Sequence, residues 1–120
     1  MEQKNKMCTD RKQSKALGKF LSSDTADAFY ESDGVNDGYT LYTGTEWCSP
    51  EAVLPAWSLS ALLGLIPFRF VLQRFEGKYY LELFRYDEHE DRYVVMEKEG
   101  NHPIDVCVKM LVELNKLGFL

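Results

Sequence analysis

His89 and His102 are the only histidines, and histidine is the side chain whose unperturbed titration falls near neutral pH, so acid–base chemistry at that pH would have to run through them. His89 sits in the acidic run Asp87, Glu88, His89, Glu90, Asp91, whose side chains are of types that ligate metal ions. The run lacks the central glycine and alternating ligands of a calcium loop, and a solvated hairpin turn is the simpler expectation. His102 has no serine or cysteine beside it in sequence. Cys8, Cys48 and Cys107 are widely spaced and form no CxxC, which argues against a zinc knuckle or a disulfide framework and for reduced thiols. Cys107 falls in an apolar helical run and is expected to act as a small hydrophobe. A small hydrolase or metal-dependent enzyme would need a cysteine and a histidine to meet in space. No phosphate-cradling glycine loop, nucleophile elbow, HExxH or EF-hand spacing is present. The expectation is therefore a non-enzymatic protein with no catalytic, cofactor-binding or metal residues.

Those side chains have to be held by elements, and the chain is organised around residues 55–67, PAWSLSALLGLIP. Ser58 reads as an N-cap, Trp57 can pack on Leu62 as a hydrophobic staple, and Leu59, Leu62, Leu63 and Ile66 recur at helical spacing before Gly64 and Pro67 end the segment. The uncharged run over residues 52–68 contains two prolines and falls short of the ~20 apolar residues a membrane span needs, so it reads as a core helix.

Residues 1–8 are expected to form a flexible tail ahead of a single domain over residues 9–120. Thr9 caps a first helix in this reading, with Leu17, Phe20 and Leu21 on its apolar edge and Lys12, Lys15 and Lys19 on a solvated face. Residues 25–30 are expected to add two helical turns with Ala26, Phe29 and Tyr30 inward. Residues 32–51 hold three glycines among Asn, Asp, Ser and Thr, the composition of a long loop. Within it Tyr39, Leu41 and Tyr42 form a short edge strand. Tyr39, Tyr42 and Trp47 are the candidate contacts for a partner, although a Trp47 folded back on the core is the simpler placement.

After Pro67 the period becomes two. Phe68, Phe70 and Leu72, then Tyr79, Leu81 and Leu83 after a turn at Glu76 and Gly77, make a hairpin with one apolar face, and residues 93–97 (YVVME) add a third strand. Asn101 or His102 then caps a final helix with Pro103 in its first turn and Gly118 past its end. Its polar stripe is only Asp105, Lys109, Glu113 and Lys116, so most of its circumference must be packed. The fold class that follows is α+β: a three-stranded antiparallel meander packed on the C-terminal and central helices, with N-terminal helices alongside, in α-β-β-β-α order from Trp57 on.

The formal net charge of −5 over 120 residues disfavours nucleic acid as a partner, and the polar N-terminus lacks the apolar core of a secretory signal, so a cytoplasmic location is expected. Three stretches in order, Thr25-Ala26-Asp27, then Pro55-Ala56-Trp57-Ser58-Leu59 with Leu62, Leu63 and Pro67, then Pro103-Ile104-Asp105 with Cys107, Val108, Met110 and Leu111, resemble small phage and prophage proteins of Bacteroides-type gut bacteria. The resemblance implies a mobile-element accessory protein and brings no catalytic residues with it. The order from Trp57 on is also similar to that of a double-stranded RNA-binding domain. Such domains grip phosphate through a lysine cluster at the start of the last helix, where this chain has Asn101 to Asp105 and reaches its first lysine at Lys109. Protein binding, to a partner or to a second copy, is the function these features favour; nucleic-acid association is the alternative.

Overall fold

The computed structural model describes residues 6–32, 38–43, 53–86 and 88–120. It has an α+β fold whose chain divides into two compact units, Met1–Leu62 and Leu63–Leu120.

In the first unit, α1 (Arg11–Leu17) opens with a capping box. Asp10 Oδ1 accepts from the Gln13 N–H at 2.7 Å, and Gln13 Oε1 accepts from the Asp10 N–H at 3.0 Å, so two orphan donors are satisfied at once. Asp10 therefore displaces Thr9 as the cap, because Thr9 is fully buried and its hydroxyl is used elsewhere. The helix stops at Leu17 with Gly18 as C-cap, short of Phe20 and Leu21. Cys8, the last residue of the expected tail, is buried at 5% exposure and bridges Ser58.

The two helical turns expected over residues 25–30 are not formed. A 3-10 turn at Ser23–Thr25 leads into β1 (Ala28–Ser32), the central strand of an antiparallel sheet ordered β2-β1-β3, with β2 at Tyr39–Thr43 and β3 at Val53–Ala56. Phe29 meets Tyr42 on one side and Pro55 on the other. Pairing on both sides outweighs the weak local helical signal of Ala26 and Ala28. Pro55 is thus a strand residue on an edge, where its missing donor costs little. The central helix is shorter than expected: α2 is Leu59–Leu63, entered through Ser58, whose Oγ accepts from the Ala61 N–H at 3.2 Å.

In the second unit the meander forms as the alternation requires, β4 (Arg69–Phe75), β5 (Lys78–Tyr86) and β6 (Arg92–Gly100) in order. The β4–β5 turn is the two-residue link Glu76–Gly77, both at positive φ (51° and 79°), the twist a tight hairpin demands. Phe70 lies opposite Leu83 and Leu72 opposite Leu81, and α3 (Pro103–Lys116) packs on β5 and β6. Ile104, Val106, Cys107, Val108, Met110, Leu111 and Leu114 are buried on it. Leu117, although apolar, is the C-cap and is exposed. Lys98 Nζ reaches Glu113 Oε1 at 3.3 Å, and Lys109 Nζ donates to the Glu99 carbonyl at 3.0 Å, tying α3 to β6.

Gly100 lets that contact close, since a Cβ there would lie 2.9 Å from Cγ2 of Val106, a stiff β-branched neighbour. Gly100→Ala is expected to destabilise by about 1–3 kcal/mol, as overpacking does. In a double-mutant cycle read by urea unfolding, adding Val106→Ala should cost less than its effect alone; strict additivity would show that the two positions do not meet.

Candidate functional site

A chain of hydrogen bonds in the first unit joins two of the stretches singled out in the sequence. The Trp57 indole N–H donates to Thr25 Oγ1 at 2.9 Å, the Ser58 N–H donates to Asp27 Oδ1 at 2.8 Å, and the Ser58 hydroxyl bonds Asp27 Oδ2. Thr9 completes it: its N–H donates to the Trp57 carbonyl at 2.9 Å, its Oγ1 accepts from the Trp57 N–H at 3.1 Å and lies 2.8 Å from Ser14 Oγ, and its carbonyl accepts from the Tyr30 hydroxyl at 2.8 Å. Among the described residues, Ser58 and Asp27 are the nearest approach to a nucleophile and its partner. Asp27, though, holds both the backbone and the hydroxyl of Ser58, the arrangement of a structural clasp.

The residues considered for acid–base and thiol chemistry lie apart. His89 stands in the β5–β6 turn, its Nε2 3.8 Å from Glu88 Oε1. His102 is the N-cap of α3, its Nδ1 accepting from the Ile104 N–H at 3.2 Å. The nine residues of β6 separate them, roughly 30 Å at a strand's rise. Cys107 is fully buried and desolvation pushes its pKa up to about 12; burial and then the Asp27 carboxylate raise that of Cys8. Neither environment favours a thiolate. Among the described residues no three His, Cys, Asp or Glu side chains are grouped to hold a metal, and no helix is long and apolar enough to cross a membrane. Cys48 lies outside the described residues.

Because the folded state holds the Cys107 thiol protonated up to about pH 12 while the unfolded chain ionises at its usual 9.0, its contribution to stability is intact below pH 9 and falls as pH rises above it. Relative to Cys107→Ala, the native chain should lose about 1 kcal/mol between pH 9 and pH 10 in urea unfolding. Equal slopes for the two chains would place the thiol in water.

Of the three candidate contact residues, two are described. Tyr39 and Tyr42 are 40% and 45% exposed on β2, an edge strand paired only with β1 among the described strands. Strand alternation sends them to opposite faces of that edge. Tyr39 lies under the Arg11 guanidinium, whose carbon is 4.2 Å from the ring centroid, and Tyr42 stacks on Phe29 at 5.4 Å and 19°. Trp47 lies outside the described residues.

The meander carries a second feature that the sequence reading did not single out. At the strand ends farthest from the Glu76–Gly77 turn, Arg69 lies over Tyr86 at 4.8 Å, Arg85 over Phe68 at 4.6 Å and Arg92 over Phe84 at 4.1 Å. Phe68 meets Phe119 edge-on at 5.2 Å, and Phe84 meets Tyr86 at 5.9 Å. The register shift beside Phe84 gives β6 one extra residue, Val95, so that Arg92 falls opposite Tyr86 on the face that carries Phe84 and Arg69, while Arg85, between Phe84 and Tyr86, turns to the other face. Pro67, Phe68, Arg69, Phe84, Arg85, Tyr86 and Glu90 line a cleft of about 680 Å³ there. The available signal was three arginines each adjacent to an aromatic residue at a strand end, Phe68-Arg69, Phe84-Arg85-Tyr86 and Arg92-Tyr93.

The chain matches no protein-family model, no curated protein and no solved structure.

Proposed function

We infer that this is a protein-binding accessory protein of the phage and prophage type, making its contact through the outer edge of β2. The observation that carries the reading is an edge strand bearing two exposed tyrosines, each already held in place, Tyr39 under Arg11 and Tyr42 on Phe29. An edge strand presents unpaired backbone donors and acceptors to an incoming strand. Tyrosines fixed before binding lose little rotamer freedom when they bury, so their contact area is retained as affinity. A second copy of the chain offers the same edge and is one possible partner; a host or phage protein is the other. The cytoplasm of a Bacteroides-type host is the compartment this reading assigns.

The test uses the native chain and a Tyr39→Ala/Tyr42→Ala variant, each run in sedimentation and as bait in host extract. The native chain should self-associate or retain a defined protein, and the variant should do neither. Native chain that stays monomeric and retains nothing, or a variant that behaves as the native chain does, would overturn the reading.

A further inference from the structure

We propose that the face of the meander turned away from α3 docks on the same face of a second copy, about a twofold axis that runs across the strands. Leu81 and Leu83 are fully buried, and Lys98, opposite Leu81, reaches Glu113 of α3, so these residues mark the face that the helix covers. Strand alternation sends Arg69, Glu82, Phe84, Arg92, Glu97 and Glu99 to the other face. Arg92 lying over Phe84 agrees with that assignment. Phe75 and Val94, on the same side, are 62% and 51% exposed.

The charges on this face are sorted along the strands. Arg92 and then Arg69 occupy the two rows farthest from the Glu76–Gly77 turn; the next two rows toward the turn carry Glu82 opposite Glu97, and then Glu99. Like charges directly opposite each other on a sheet are destabilising, and Gln73, whose Nε2 donates to Glu82 at 3.3 Å, adds a dipole without a countercharge. A guanidinium from outside would relieve the repulsion. A twofold axis crossing the strands between the Arg69 row and the Glu82 row reverses the second copy, so that arginine rows fall on carboxylate rows. Arg92 then faces Glu99 of the second copy, Arg69 comes beside Glu82 of the second copy, and symmetry makes each contact twice. An axis along the strands would instead set arginine on arginine. A partner of one sign, nucleic acid included, would satisfy one pair of rows and oppose the other.

Three strands wide and as long as the seven-residue β4, the face measures roughly 15 by 24 Å. That footprint falls at the low end of specific interfaces, and the expected Kd is about 0.1–1 mM. At the low-micromolar concentrations of a sedimentation run or a bait the copies are apart, so the β2 edge is read separately.

The experiment records NMR spectra of the full chain from about 20 μM to about 1 mM in about 50 mM salt, where surface charges are weakly screened. Resonances of Val71, Arg92 and Val94 should move with concentration, and about 500 mM salt should weaken the association about threefold or more. The Tyr39→Ala/Tyr42→Ala chain should show the same movements, which separates this face from the β2 edge. Arg92→Glu and Glu99→Arg should each weaken the association about tenfold or more, because symmetry counts each substitution twice. An equimolar mixture of the two variants should restore it, since each chain then carries the charge that the other faces. Both side chains are exposed, and dispersed spectra would show that the variants fold. The proposal is overturned if nothing on this face of the native chain moves up to about 1 mM, if the movements are confined to β2, if either variant associates as the native chain does, or if the mixture associates no more tightly than its components.

Discussion

Replacing Trp57 by alanine is expected to lower the free energy of unfolding by about 3–5 kcal/mol, the cost of truncating a large buried aromatic. Trp57 has no exposed surface, its indole N–H is bonded to Thr25 Oγ1, and its backbone N–H and carbonyl are both bonded to Thr9. Alanine keeps the backbone bonds and removes the ring, leaving a cavity and a hydroxyl at Thr25 that has lost its donor. Trp57→Phe separates the two contributions: most of the volume returns, and the remaining deficit, about 1–2 kcal/mol, reports the lost hydrogen bond. Urea unfolding followed by circular dichroism measures both. A loss under about 1 kcal/mol for alanine would contradict the packing described for the first unit.

The second large effect belongs to the meander. Leu111→Ala on α3 is expected to cost about 2–5 kcal/mol, because Leu111 is fully buried on the helix that packs against β5 and β6, where Leu81 and Leu83 are fully buried too. Leu117→Ala, one and a half turns further on, removes the same atoms from a side chain that is 55% exposed and should change stability by no more than about 0.5 kcal/mol. The contrast between two leucines of one helical end measures burial with residue type held fixed. Similar losses at the two positions would mean that α3 does not roof the sheet as described.

The second unit was largely legible in the sequence because its determinants are local. Phe70, Leu72, Leu81 and Leu83 alternate within short strands, Gly77 marks the tight turn, and His102 with Pro103 marks the helix start, each within a few residues of the structure it specifies. The first unit was less so. β1 takes its identity from partners far along the chain, Ala28 opposite Thr43 and Ala56, and no local pattern in AFYES announces a strand paired on both sides. Pro55 was read only as a clamp ahead of the helix that Ser58 caps; the pairing of Pro55 and Ala56 with Phe29 and Ala28 makes them strand.

The candidate sites divide the same way. Tyr39 and Tyr42 were found because a strand of aromatic and β-branched residues stands out within a polar loop, and only their exposure and opposite facing needed coordinates. The placing of Arg92 over Phe84 depends on register. One inserted residue, Val95, decides which face Arg92 joins, and strand alternation alone would have sent it to the other.

The outer edge of β2 is where the account of binding is most directly exposed to measurement. Amide hydrogen exchange should be recorded for the chain alone and for the same chain bound to the protein it retains, or at a concentration where it self-associates. The account predicts that exchange within Tyr39–Thr43 slows about tenfold or more in the complex, as newly paired strand amides do, while the Glu76–Gly77 turn is unchanged. Exchange at β2 that is identical in the free and bound states would contradict it.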